Sequence, residues 1–131
     1  MTDRPAAAIT LITLGVADVA RASRFYEAIG FVRSKAASQD AIAFFRAGGV
    51  VLALFGRDAL AHDAGLEPTP AGRFGGITIA RNLPSPAAVD AACDEALAAG
   101  ARLLKKPERV FWGGYSGYVA DPRRPPDRAR P

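Results

Sequence analysis

Hydrophobic positions along the chain change period in a fixed order, and that order occurs twice. Ile9 to Val16 is an apolar, β-branched run, short enough to predict a mostly buried strand. From Asp18 to Ile29 the period lengthens: Val19, Ala22, Tyr26 and Ile29 recur at helical spacing, with Arg21, Arg24 and Glu27 facing water. Gly30 then leads a second strand, Gly30 to Ala36. The succession returns as Gly76 to Ala80, Ser85 to Ala99 and Gly100 to Lys106. Asp18 and Ser85 suit N-caps, because a side-chain oxygen there accepts a free amide proton of the first turn. Pro86 suits the first helical position, and Gly30 and Gly100 the left-handed residue after a helix. Ala41 to Ala47 and Val50 to Phe55 flank Gly48-Gly49, while Val110 to Trp112 and Tyr115 to Ala120 flank Gly113-Gly114. Both spacings predict hairpins.

The repeat predicts an α+β fold: two βαβββ modules forming a cupped mixed sheet, module one over 9–57 and module two over 76–122. Neither unit can bury its sheet face alone, so duplication predicts a cavity between the two. Residues 58–75 join the modules; with Gly56 the segment carries four Gly, two Pro and the only His, and its lack of sustained period predicts a connection that also serves as a lid. The second copy is incomplete. Where module one has a third strand after its helix, module two has the basic tail 123–131, so its last strand is missing.

At 131 residues, half of them hydrophobic, the chain is sized for one globular domain. Its net charge of +4 does not point to nucleic acid, since the tail supplies +3 of it and the body lacks a basic stripe interleaved with aromatics. Cys93 is the only cysteine, which fits a reducing compartment, and its place beside Val89, Ala96 and Leu97 on one helix face predicts a buried thiol rather than a nucleophile. No run is long enough to span a membrane. Ala6 to Ala17 is apolar enough to pass for a signal-peptide core, but it holds two Thr and leads into a capped helix, so a cytoplasmic protein is expected.

Leu14-Gly15-Val16-Ala17-Asp18, with Arg24-Phe25-Tyr26 and Gly30-Phe31, resembles the opening of a vicinal-oxygen-chelate module, the superfamily of glyoxalases, bleomycin-resistance proteins and extradiol dioxygenases. Ala98-Ala99-Gly100-Ala101, the run Trp112 to Tyr118 and Ala120-Asp121-Pro122 are similar to a glyoxalase-like branch. The resemblance covers the chain up to its tail. It implies the paired-module fold and a homodimer, but not one activity, because this fold hosts lyases, epimerases, dioxygenases and drug-sequestering proteins. It also implies a place for a divalent metal, at positions that look like Leu11, Phe55, Gly76 or Ile77, and a residue of the altered tail. None of the first four is a ligand. Independently of any family, no His, Asp, Glu or Cys lies within a predicted strand, whereas a catalytic metal needs about three protein ligands converging from rigid elements. The expectation is therefore no metal and no cofactor.

Members of that superfamily commonly run from Asp-Pro into Asp-Gly-His and then Ile-Glu-Leu. The codon run CGA CGG CCA CCC GAT CGA GCT CGA CC encodes this tail, Arg123 to Pro131, apart from an unspecified last base. Shifted by one base it reads GAC GGC CAC CCG ATC GAG CTC GAC, or Asp-Gly-His-Pro-Ile-Glu-Leu-Asp. A single-base slip would thus account for the missing strand; a disordered basic tail is the alternative. Loss of the strand leaves an apolar edge beside Tyr115 to Ala120, a second reason to expect a dimer.

Other chemistry is sparse. His62 and Asp63 sit on the connection and read as solvated surface, because adjacency alone does not hold a base against its proton. Arg46, Arg57 and Arg81 read as a rim of solvated cations at strand ends. Phe45, Phe55, Trp112, Tyr115 and Tyr118 are the candidates for lining an aromatic cavity, with core filling the equal alternative. Thr13 and Thr78, at matching places in the two modules, are candidate hydroxyl donors to a ligand. The function expected is metal-independent binding of a small apolar or aromatic molecule in the cup. The alternatives are a metal-dependent lyase or dioxygenase, and an impaired, frameshifted family member.

Overall fold

The computed structural model describes residues 5–69 and 75–123. Its first half follows the predicted order: β1 (Leu11–Val16), α1 (Val19–Ala28), β2 (Val32–Arg33), β3 (Ile42–Ala47) and β4 (Val50–Gly56). These strands form one mixed sheet in the order β1-β4-β3-β2, with β4 parallel to β1 and antiparallel to β3. Ala47 pairs with Val50 across Gly48-Gly49, so the predicted two-residue turn forms, with Gly48 at φ +70. The Asp18 carboxylate accepts from Arg21 N–H at 3.0 Å and starts α1; Gly30, at φ +105, follows its end.

Strand alternation divides this sheet into two faces. On one face Ile12, Leu14 and Val16 align with Leu52 and Leu54 and with Ala43 and Phe45, and α1 packs on them through Ala22, Phe25 and Tyr26. The Tyr26 ring meets Phe25 edge-on at 5.1 Å, with Phe31 and Phe45 at 5.8 and 6.3 Å. That side is the core of the molecule.

The second half departs from expectation. α3 (Pro86–Ala98) forms as predicted, with Ser85 Oγ accepting from Ala88 N–H at 3.1 Å. β5 (Arg102–Arg109) and β6 (Tyr115–Ala120) make a separate two-stranded antiparallel sheet. Gly76 to Ala80, predicted as a strand, has no strand pairing and all its residues are exposed. The reason lies in the first half, where β1 is bonded only to β4, the last strand of its unit. Among the described residues no strand stands to Gly76 to Ala80 as β4 stands to β1, and a strand without a partner cannot satisfy its backbone. The tail from Arg124 onward lies outside the described residues.

Two further boundaries shift. Val110 to Trp112 belongs to the loop between β5 and β6, closed by Val110 N–H donating to Gly114 O at 2.8 Å, rather than to a strand. The connection holds a helix that periodicity did not reveal, α2 (Arg57–Asp63), directly after β4. Cys93 is half-buried rather than buried, because α3 has only a narrow sheet beneath it and buries Ala96 alone. Burial raises the Cys93 thiol pKa, and Asp94 and Asp90 add to the rise, which keeps it protonated and poorly nucleophilic.

Candidate functional site

The second face of the four-stranded sheet is not covered by α1. Leu11, Thr13 and Gly15 align there with Val51, Ala53 and Phe55, and these with Arg46, Phe44 and Ile42. Thr13, Ile42, Phe44 and Phe55 are half-buried on it, Leu11 and Val51 more exposed. One hydroxyl therefore sits among apolar side chains, with Arg46 as an exposed cation at the rim.

α2 reaches this face at Gly15. A Cβ built on Gly15 would lie 3.3 Å from Arg57 Cα and 3.4 Å from Leu60 Cδ2, so the helix approaches nearer than a side chain would comfortably allow. Glycine inside an otherwise β-branched strand was the visible signal of that approach. Arg57 extends the cover by donating from Nε to Thr69 O at 2.9 Å. His62 and Asp63, at the end of α2, are exposed.

The sequence candidates separate. Thr13 and Phe55 share the open face. Phe45 lies on the opposite face, in the core beneath Tyr26, and its neighbour Phe44 takes the open position. Thr78 is exposed on the unpaired segment. Trp112 is 70% exposed at the β5–β6 loop, edge-on to Phe111 at 4.7 Å, and Tyr118 is exposed. The Tyr115 hydroxyl donates to Asp90 on α3 at 2.7 Å, a bond that raises the Tyr115 pKa. The structure thus unites two of the seven candidates and adds Phe44. Of the arginines, Arg46 is at the rim, whereas Arg81 is engaged, donating to Ile29 O at 3.3 Å and lying 5.6 Å over the Phe31 ring.

A divalent metal does not fit these residues. Leu11 and Phe55 face the open side but carry no donor atoms, and among the described residues no three His, Cys, Asp or Glu side chains come together. A separate groove of about 350 Å³ lies on the α1 side, lined by Ser23, Arg24, Glu27, Arg33 and Asp40. Ser23 Oγ is buried there without a partner, but it is shut off from solvent and so unavailable to a ligand. The open face is the stronger site because it combines apolar area, one hydroxyl and a covering helix.

A polar cluster joins the end of β6 to α1. The Tyr26 hydroxyl donates to Asp121, Arg123 Nε donates to the same carboxylate at 2.7 Å, Arg21 donates to Pro122 O at 3.0 Å, and Ala17 N–H to Arg123 O at 2.8 Å. Burial and the nearby carboxylate push the Tyr26 pKa well above the usual phenol value. For Arg123, burial is the largest single influence and works against the charge, but the hydrogen bond and charge of Asp121 together with Tyr26 outweigh it and the pKa rises.

A family model, described as Glyoxalase/Bleomycin resistance protein/Dioxygenase superfamily, matches residues 8–124, and the chain belongs to that superfamily. The chain is similar in structure to a glyoxalase-related enzyme from Fulvimarina pelagi, at 32% identity and TM-score 0.79, covering 89% of this chain and 82% of that one. It is also similar to a glyoxalase/bleomycin resistance protein/dioxygenase from Nocardioides (26%, TM-score 0.70, 94% and 80% covered). A lactoylglutathione lyase from Agrobacterium tumefaciens shares the fold at 21% identity, with TM-score 0.60 and 92% and 90% covered. No protein of curated function matches the chain. No helix among the described residues is long and apolar enough to cross a membrane.

Proposed function

We propose that this protein binds a small apolar or aromatic molecule, without a metal, on the open face of the four-stranded sheet beneath α2, as a cytoplasmic homodimer. The observation that carries the reading is the chemistry of that face: Leu11, Thr13, Phe44, Val51 and Phe55 offer contact area and one hydroxyl, but no side chain able to ligate a metal or transfer a proton near neutral pH. Dispersion and desolvation supply the affinity, Thr13 orients a polar substituent, and Arg46 favours a ligand with an anionic end.

The fluorophore anilinonaphthalenesulfonate, which joins an aromatic body to an anion, is a direct probe. The native chain is expected to enhance its emission saturably, and Phe44→Ser to abolish most of that enhancement while circular dichroism stays unchanged. Equal enhancement by both chains would remove the open face as the site. Equilibrium dialysis against zinc, nickel and manganese tests the rival class: retention of one ion per chain would favour a metal-dependent lyase or dioxygenase.

A further inference from the structure

Two strand edges in the second half are open in a way that defines what should fill them. In the first half, β4 lies between β1 and β3, parallel to the first and antiparallel to the second. The internal repeat puts Gly76 to Ala80 in the place of β1 and β6 in the place of β3. Among the described residues Gly76 to Ala80 has no strand partner, and β6 is bonded on one side only, to β5. The consequence for burial is large. Ile12 and Leu14 are half-buried and 5% exposed in β1, whereas their counterparts Ile77 and Ile79 are 64% and 45% exposed. One strand inserted between these segments would satisfy both edges and cover both isoleucines.

We infer that Gly76 to Ala80 and β6 form an acceptor slot for one strand, and that its occupant is the segment encoded by this gene one base out of frame after Pro122. Three properties of Asp-Gly-His-Pro-Ile-Glu-Leu-Asp fit the slot. Asp-Gly is a turn pair and falls two residues beyond the end of β6, on the same side of the strand as Gly48-Gly49, which turns β3 into β4. Its single proline falls at the place of Val51, whose N–H donates to Thr10 O at 2.9 Å in the first half, so one edge bond is forgone, fewer than with the adjacent prolines at 125 and 126 of the tail as encoded. Ile and Leu alternate around Glu, so both fall on one face, as Leu52 and Leu54 do in β4. Each shifted codon is open to only a few residue types, so a turn pair followed by an alternating apolar strand is a demanding coincidence. The family likeness ends at residue 124, two residues past the shift. The backbone bond from Ala17 N–H to the carbonyl of residue 123 needs no particular side chain and survives the change; the Arg123 side chain's interactions with Asp121 and Tyr26 are lost.

The inference goes beyond the ligand-binding reading and fails separately from it. Sequencing the coding DNA across Asp121 to Pro131 is the first test. Codons compatible with the shifted segment are expected; an Arg124 codon ending in any base but G, or an Arg128 codon not ending in A, excludes it, since the shifted Gly or Glu is then lost or its flanking reading altered. The second test compares the chain as encoded with one carrying the shifted segment in place of residues 123–131, by hydrogen exchange at Ile77 and Ile79. At least a tenfold slowing in the replaced chain supports the slot. Equal exchange overturns it, as does slow exchange in the original chain that rises with protein concentration, which would show a second copy already occupying the edge.

Discussion

Gly117 is the residue on which the small sheet most depends. A Cβ there would lie 2.9 Å from Pro107 N and 3.0 Å from Lys105 O, both backbone atoms that cannot swing away. The register shifts of β5 between Leu103 and Glu108 bring its backbone this near to β6. Gly117→Ala is expected to cost roughly 1–3 kcal/mol, read as a lower denaturant midpoint, while Gly49→Ala, with nothing near its Cβ, should leave the midpoint almost unmoved. Tyr26 makes a second prediction, with a pH signature. Its pKa is raised in the folded state, so its contribution to stability is complete below the ordinary phenol value of about 10 and is lost as pH rises beyond it, where only the unfolded chain ionises. Stability measured from pH 8 to 11 should fall above pH 10 in the native chain. Tyr26→Phe should be less stable by about 1–2 kcal/mol at pH 8, having lost its bond to Asp121, and show a shallower alkaline decline.

Elements differ in how far they can be read from their own residues. α1, with Asp18, an apolar stripe and Gly30, was legible because every signal is local, and β3 and β4 because Gly48-Gly49 fixes their register. α2 was not: seven residues, about two turns, carry too little period, and what holds the helix is its approach to Gly15, a long-range fact. Gly76 to Ala80 shows the converse, a good strand sequence with no strand, because pairing belongs to two segments at once. At the site, alternation made Phe44 and Phe45 face opposite ways, but only the packing of Tyr26 decides which is inside. The two helix caps should therefore behave differently. Asp18→Ala is expected to lower global stability by about 1 kcal/mol, because α1 covers the main core. Ser85→Ala should instead speed hydrogen exchange in the first turn of α3 with little effect on the global midpoint, since α3 buries only Ala96.

Apolar burial is unequal among the described residues: apart from Ala96, every buried residue of the core comes from the first half. Phe45→Ala should consequently cost about 3–5 kcal/mol in thermal or denaturant unfolding, as an aromatic removed from a packed interior does. Trp112→Ala, at an exposed loop, should change the unfolding midpoint by no more than about 0.5 kcal/mol. The parallel pairing of β1 with β4 also sets a timetable for synthesis. The first strand of such a unit must wait for the last before its hydrogen bonds can close, so the first half can close its sheet once Gly56 has left the ribosome, before the second half has emerged. A reading error near the end of the message therefore reaches a chain whose main core is already assembled. The product would keep a folded half, resist prompt degradation, and persist long enough for its unfinished edge to matter.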